Sequence, residues 1–145
     1  MTSTIRVRQV SSAKELKTVY AIRMRVFVKE QGVPEEIELD RDDKRAVHFL
    51  ASIAGKAVAT ARVVMRHGNA KIGRMAVLKS YRGRGIGTRL LKRAIVSAKK
   101  QNARTIYLHA QVPVISFYET MAFRCASPIF KEAGIPHRKM ILVQR

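Results

Sequence analysis

Three features of the sequence predict an α+β fold in which one mixed sheet carries helices on both faces. Between positions 46 and 77, segments rich in β-branched and aromatic residues follow one another across Gly-containing turns, as in an antiparallel meander. From Gly87 onward apolar residues recur at helical spacing, and a further apolar segment follows; strand, helix, strand in that order makes a crossover between parallel strands. With 145 residues, 47% of them hydrophobic, the chain is long enough for one full core and short for two, so residues 1–145 are expected to form one domain.

The elements follow in order. Ile5, Val7 and Gln9 alternate with Arg6, Arg8 and Val10 in a first strand. Ser11 or Ser12 then caps a helix bearing Leu16, Val19, Tyr20, Met24 and Phe27, which ends before Gly32-Val33-Pro34. A polar loop runs to Lys44. Strands are expected over Ala46–Ile53, Ala57–Arg66 and Ala70–Val77, joined by turns at Gly55-Lys56 and His67-Gly68-Asn69. On the next helix Gly87, Leu90, Leu91, Ala94, Ile95 and Ala98 share one face, with Arg89, Lys92, Arg93, Ser97 and Lys100 opposite. A strand at Thr105–Ala110, a short helix at Val114–Met121, and a last pair of strands around Phe123–Phe130 and Met140–Val143 complete the order βαβββαβαββ.

The most informative stretch is Gly73-Arg74-Met75-Ala76-Val77-Leu78 followed by Tyr81-Arg82-Gly83-Arg84-Gly85-Ile86-Gly87-Thr88. It reads as a strand feeding a glycine-rich turn into a helix. Glycines let backbone approach an anion closely, and a helix start presents unpaired N–H groups at the positive end of its dipole, so such a turn can hold a pyrophosphate. Its spacing excludes two familiar binders. A Walker loop needs Lys-Ser/Thr after the last glycine, and a G-x-G-x-x-G fingerprint finds Thr88 at its third glycine. What fits is R-x-x-G-x-G, formed by Arg82, Gly85 and Gly87.

That motif, the element order and Phe117-Tyr118-Glu119-x-x-Ala122-Phe123 together resemble the GCN5-related N-acetyltransferase (GNAT) superfamily over nearly the whole chain. Arg25–Pro34, Gly73–Val77, Leu108-His109-Ala110-Gln111 and Glu132–Met140 are more narrowly similar to its ElaA/YjcF-like branch. The resemblance implies acyl-CoA-dependent N-acyl transfer, most simply from acetyl-CoA, by direct attack of an amine on the thioester through a tetrahedral intermediate. It implies that amides of Arg82, Gly83, Arg84, Gly85, Ile86, Gly87 and Thr88 bind the pyrophosphate of coenzyme A, and that Met75, Ala76 and Val77 pair with its pantetheine arm. It also implies that the Val77 amide polarises the thioester carbonyl and that Tyr118 protonates the departing thiolate. A tyrosine hydroxyl, with a pKa of about 10, keeps its proton at neutral pH and so suits that last role.

The base that frees the amine is not carried over, because the Ala70–Val77 strand has no carboxylate. His109, on the strand flanking the cleft, and Glu30, at the end of the first helix, are the candidates. His48 and His137 are weaker candidates for positioning substrate. Two departures stand out: Ala122 replaces the glycine usual before Phe123, and Gln111 stands where many members place asparagine. No metal site is expected.

The formal net charge is +19, and it is unevenly distributed. Seven of the ten acids, Glu30, Glu35, Glu36, Glu38, Asp40, Asp42 and Asp43, fall in one segment, and none lies between Lys44 and Tyr118. The acidic segment suggests attraction for a small cationic amine acceptor; the basic middle attracts polyanions. The alternative reading is therefore a non-catalytic nucleic-acid-associated protein on the same fold, against which stand the few aromatics and the lack of a helix-turn-helix or RNP signal. No apolar run reaches about 18 residues, no signal-peptide pattern opens the chain, and the single Cys125 reads as a packing residue; a cytoplasmic protein that does not engage a membrane is expected. Exposed sheet edges make a homodimer an expectation to test.

Overall fold

The computed structural model describes residues 4–143. Its strands are β1 (Ile5–Gln9), β2 (Val47–Ile53), β3 (Lys56–Arg66), β4 (Asn69–Val77), β5 (Ile106–Gln111), β6 (Phe123–Cys125), β7 (Phe130–Glu132) and β8 (Ile135–Leu142). They form one sheet in the order β1-β2-β3-β4-β5-β8-β6, with β7 paired to β8. Every pairing is antiparallel except β4 with β5. The crossover between those two strands contains helix α3 (Ile86–Lys100), as the sequence predicts.

β2 and β3 are buried on both faces, which is why they read as apolar runs, whereas burial along β4 alternates over its first half. On one face Phe49, Ala51, Val63 and Ile72 meet α3 through Ile86, Leu90, Leu91, Ala94 and Ala98. Full burial of a leucine such as Leu90 contributes about 1.5–3 kcal/mol. Ser97, expected on the solvent side of α3, is buried instead. On the other face Leu50 and Ala76 receive Val19, Ile22 and Val26 from α1 (Ala13–Arg23) and its continuation. Ser12 caps α1 by accepting from the Glu15 amide at 3.1 Å.

The structure departs from the expected elements in three places. Past Arg23 the first helix widens into a π-wound turn, Met24–Glu30, which sends Phe27 and Gln31 toward the middle of the sheet. The polar loop contains a short helix, α2 (Glu35–Glu38), and a 3₁₀ turn at Arg41–Lys44 capped by Asp40. The last pair of strands is in fact three: β6 ends at Cys125, β7 is a short strand, and β8 begins at Ile135. Between β7 and β8, Ala133 and Gly134 both take positive φ, making a tight hairpin in a stretch whose Pro and His residues hide its strand character. Short helix α4 spans Ile115–Thr120, and Ala122 after it adopts φ 70°, the left-handed turn for which glycine is usual. Cys125 is half-buried against the core. No helix among the described residues is long and apolar enough to cross a membrane.

Candidate active site

β4 and β5 pair only at Ala70–Ile106, Lys71–Tyr107 and Ile72–Leu108. Beyond that point β4 stays with β3 while His109 to Gln111 stay with β8, so the two strands part and a cleft of about 830 Å³ opens between them. A bulge enlarges the opening: Thr60 faces Ala76 and Arg62 faces Gly73, leaving Arg74 and Met75 opposite Ala61 alone, with Arg74 at φ 49°. Across the cleft the Gln111 amide donates to Gln31 at 2.9 Å, tying β5 to the end of the first helix.

Main-chain groups dominate one half of this cleft. The Leu78 amide donates to the Val58 carbonyl, so in the antiparallel alternation the preceding residue, Val77, turns its own N–H and C=O away from β3 and toward the opening. Arg82 Nε donates to that Val77 carbonyl at 2.9 Å, leaving the amide as the free donor on this edge. Gly83 and Gly85 take φ 78° and 80°, conformations in which a side chain is strained, and Gly85 begins α3 with no side-chain cap among the described residues. The first amides of α3 thus face the cleft at the positive end of the helix dipole. These features fit a pyrophosphate and an extended amide-bearing arm. Glu30 lies here too, but its carboxylate is gripped by both terminal nitrogens of Arg82, at 2.6 and 2.8 Å. That hydrogen bond lowers its pKa, and a carboxylate so held is a poor proton acceptor.

Tyr118, on α4, reaches across to β4 and its hydroxyl donates to Met75 Sδ at 3.6 Å. Phe117 and Phe123 pack edge-on against its ring. Burial raises its pKa to about 12, so the phenol holds its proton throughout the neutral range.

His109 projects from β5 into the same cleft, where its Nδ1–H donates to Glu132 Oε1 at 2.9 Å. The hydrogen bond from His109, against the cost of burial, lowers the Glu132 pKa to about 2. An ionised Glu132 can only accept, so in the neutral imidazole the proton sits on Nδ1 and Nε2 carries the lone pair. Phe130 packs against His109 and stacks on His137, whose Nε2 lies 3.7 Å from the second oxygen of Glu132. His137 Nδ1–H donates to the Ile135 carbonyl at 2.7 Å.

Five of the seven acids in the acidic segment do not offer their charge to an acceptor as expected; only Glu35 and Glu36 are exposed without an ion pair among the described residues. Fully buried Arg23 donates to Glu38 at 2.7 Å and to Asp43 at 2.6 Å; Arg62 bridges Asp40 and Asp43, and Arg74 reaches Glu38 and Asp40. Burial alone would raise the pKa of Asp40, yet the Arg62 hydrogen bond and its charge prevail and hold it at about 2. Asp42 pairs with Arg66 and Arg45. These carboxylates neutralise arginines projecting from α1, β3 and β4, and sequence proximity among the acids concealed those distant partners. His48 likewise lies outside the cleft, buried on β2 with Nε2 bonded to the Asp43 carbonyl.

The acetyltransferase (GNAT) domain family matches residues 7–144. The chain belongs to the GNAT family. Among its relatives, YjcF, an uncharacterized N-acetyltransferase of Bacillus subtilis, is 36% identical over 129 residues, covering 88% of this chain and 92% of that protein. The crystal structure of Escherichia coli ElaA superposes with a TM-score of 0.86 at 26% identity, covering 97% of this chain and 100% of that one, in keeping with the ElaA/YjcF-like branch. A GNAT acetyltransferase from Elizabethkingia anophelis with acetyl-CoA bound shares the fold at a TM-score of 0.72 and 17% identity, over 94% of each chain. By family this GNAT chain is an N-acetyltransferase.

The GNAT motifs expose the turn and the tyrosine to sequence reading, but Glu132, the partner of His109, escapes it. Glu132 had one available signal: it is an isolated acid in a strongly basic half of the chain.

Proposed function

We propose that residues 1–145 act as a single GNAT domain that transfers the acetyl group of acetyl-CoA to a primary amine of a small molecule. The observation that carries this reading is the convergence, in one cleft, of the outward Val77 amide, the uncapped start of α3 at Gly85 and the protonated Tyr118. Amides from Arg82 to Thr88 would hold the pyrophosphate, and the edge of Met75, Ala76 and Val77 the pantetheine arm. Bound there, acetyl-CoA supplies an activated acyl group and a thiolate leaving group.

The protein's own groups divide the remaining work. The Val77 N–H offers a preorganised donor where negative charge develops on the carbonyl oxygen, and such a donor can be worth about 3 kcal/mol. His109 Nε2 accepts a proton from the amine while Glu132 holds the ring by Nδ1. Once the N–C bond has formed, Tyr118 gives its proton to the sulfur as the C–S bond breaks, and the proton taken by His109 returns through solvent to the phenolate. Glu30 orients Arg82 rather than acting as the base. Holding both reactants in one cleft replaces a costly encounter in solution.

Thermal stability tests the cofactor assignment directly. Acetyl-CoA at micromolar concentration should raise the melting temperature, and the shift should survive added salt that abolishes binding of a short DNA duplex. A shift with the duplex and none with acetyl-CoA or CoA would establish the nucleic-acid alternative, which rests on net charge alone.

A further inference from the structure

Five cationic side chains line the cleft: Arg62, Arg66, Lys71, Arg74 and Arg82. Four of them hold carboxylates, Arg62 on Asp40, Arg66 on Asp42, Arg74 on Glu38 and Arg82 on Glu30. Lys71 makes no ion pair or side-chain hydrogen bond among the described residues, although it is half-buried. An unmatched ammonium withdrawn from water is costly unless an anion joins it.

The position of Lys71 makes that anion part of the acceptor. It pairs across the parallel ladder with Tyr107, two residues before His109, so both side chains lie on the same face of the sheet. Gly73, two residues beyond Lys71 on β4, lines the cleft where the strands have parted, and a Cβ there would meet nothing within 4 Å. The floor between the lysine and the imidazole is therefore open. Burial pushes the Lys71 ammonium pKa down, as do the charges of Arg62, Arg74 and Arg66, while Glu132 opposes them; a bound anion would oppose them further.

We propose that the acceptor is an amine bearing a carboxylate close to the nitrogen, an amino acid in the broad sense, whose carboxylate is held by Lys71 while its amine is received by the His109–Glu132 pair. This rests on the acetyl-CoA reading above and adds the acceptor class. An ammonium seen alone would be repelled by Lys71, whereas a zwitterion places one charge on each side of the open floor. Such an acceptor matches a cleft in which Glu38, Asp40 and Asp42 are committed to arginines and Glu132 to His109.

The test compares free amino acids with the amines left by their decarboxylation, side chain for side chain, in a thiol-release assay with acetyl-CoA. Amino acids should exceed their decarboxylated partners by about tenfold or more in kcat/KM. Lys71→Met should raise the amino-acid KM by about tenfold, leave kcat within about twofold, and leave unchanged or lower the KM for the decarboxylated amines, which no longer meet a repelling charge; Lys71→Arg should keep the preference. An unchanged acetyl-CoA melting shift would show that both variants fold. Equal or better use of decarboxylated amines would overturn the proposal, as would a Lys71→Met loss of the same factor for both classes. Acetylation of neither class, with the acetyl-CoA shift intact, would overturn the acceptor assignment and leave the cofactor site standing. Absence of that shift in the wild type would remove both readings.

Discussion

Tyr118 shows how one residue's environment prepares its chemistry. The hydroxyl sits among Phe117, Phe123 and Met75, and the same burial that raises its pKa to about 12 makes it a reservoir that yields a proton only to a strong base. Tyr118→Phe should lower kcat by about 10²-fold or more while the acetyl-CoA melting shift persists, because the phenyl ring keeps the packing. Glu132 is the corresponding residue on the acceptor side. Its folded pKa of about 2 lies below the ordinary carboxylate value, so it contributes stability that is full above that value and is lost as pH falls toward 2. The unfolding free-energy difference between wild type and Glu132→Gln should therefore shrink as pH falls from about 5 toward 2, with partial exposure keeping it small. The variant should also lose activity at neutral pH, because a glutamine can donate to Nδ1 and no longer dictates the tautomer.

At the scale of elements, the glycine turn and the arginine network impose opposite demands on the chain. Gly83 and Gly85 meet no protein atom where a Cβ would go, so the turn is constrained by φ alone. Gly85→Ala should cost about 1–2 kcal/mol of stability, measured by urea unfolding, and weaken acetyl-CoA binding by disturbing the start of α3. The network of Arg23, Arg62 and Arg74 instead fastens α2 and the 3₁₀ turn to the sheet. Arg23→Met would leave Glu38 and Asp43 buried without a principal partner, and a loss of about 3–5 kcal/mol is expected in the same measurement. The π-wound turn after α1 serves the site more than the core: it brings Gln31 to Gln111 and Glu30 to Arg82, joining the two walls of the cleft.

Over the whole molecule, acids and bases are matched locally but not in total. With acids concentrated in one segment, cations on the outer face of α3 and around β1 repel one another across the surface. Salt shortens the range of that repulsion to about 10 Å at 0.1 M, so the melting temperature of the free protein should rise between roughly 0.02 and 0.3 M sodium chloride. The rate of acetyl-CoA association should fall over the same range, since the field that destabilises the fold also draws in a polyanion; stopped-flow binding and thermal melts on one sample separate the two effects.

Periodicity, capping and glycine placement are local properties of the chain, so the α+β class, the antiparallel meander, the parallel crossover through α3 and the glycine turn were legible in the sequence, whereas α2 and the separate strand β7 were not. The sequence motif was enough to nominate Arg82 to Thr88 and Tyr118. Only the tertiary structure decided the charges of the site. Whether Asp40 attracts an amine or neutralises Arg62 depends on residues far apart in sequence meeting in a region of low dielectric, and the sequence alone cannot show that. Glu132 was likewise one polar residue in a terminal segment until the β7–β8 hairpin folded it onto His109, and Lys71 stands out in the cleft as a cation without an ion pair among the described residues only once Arg62, Arg66, Arg74 and Arg82 have found their carboxylates.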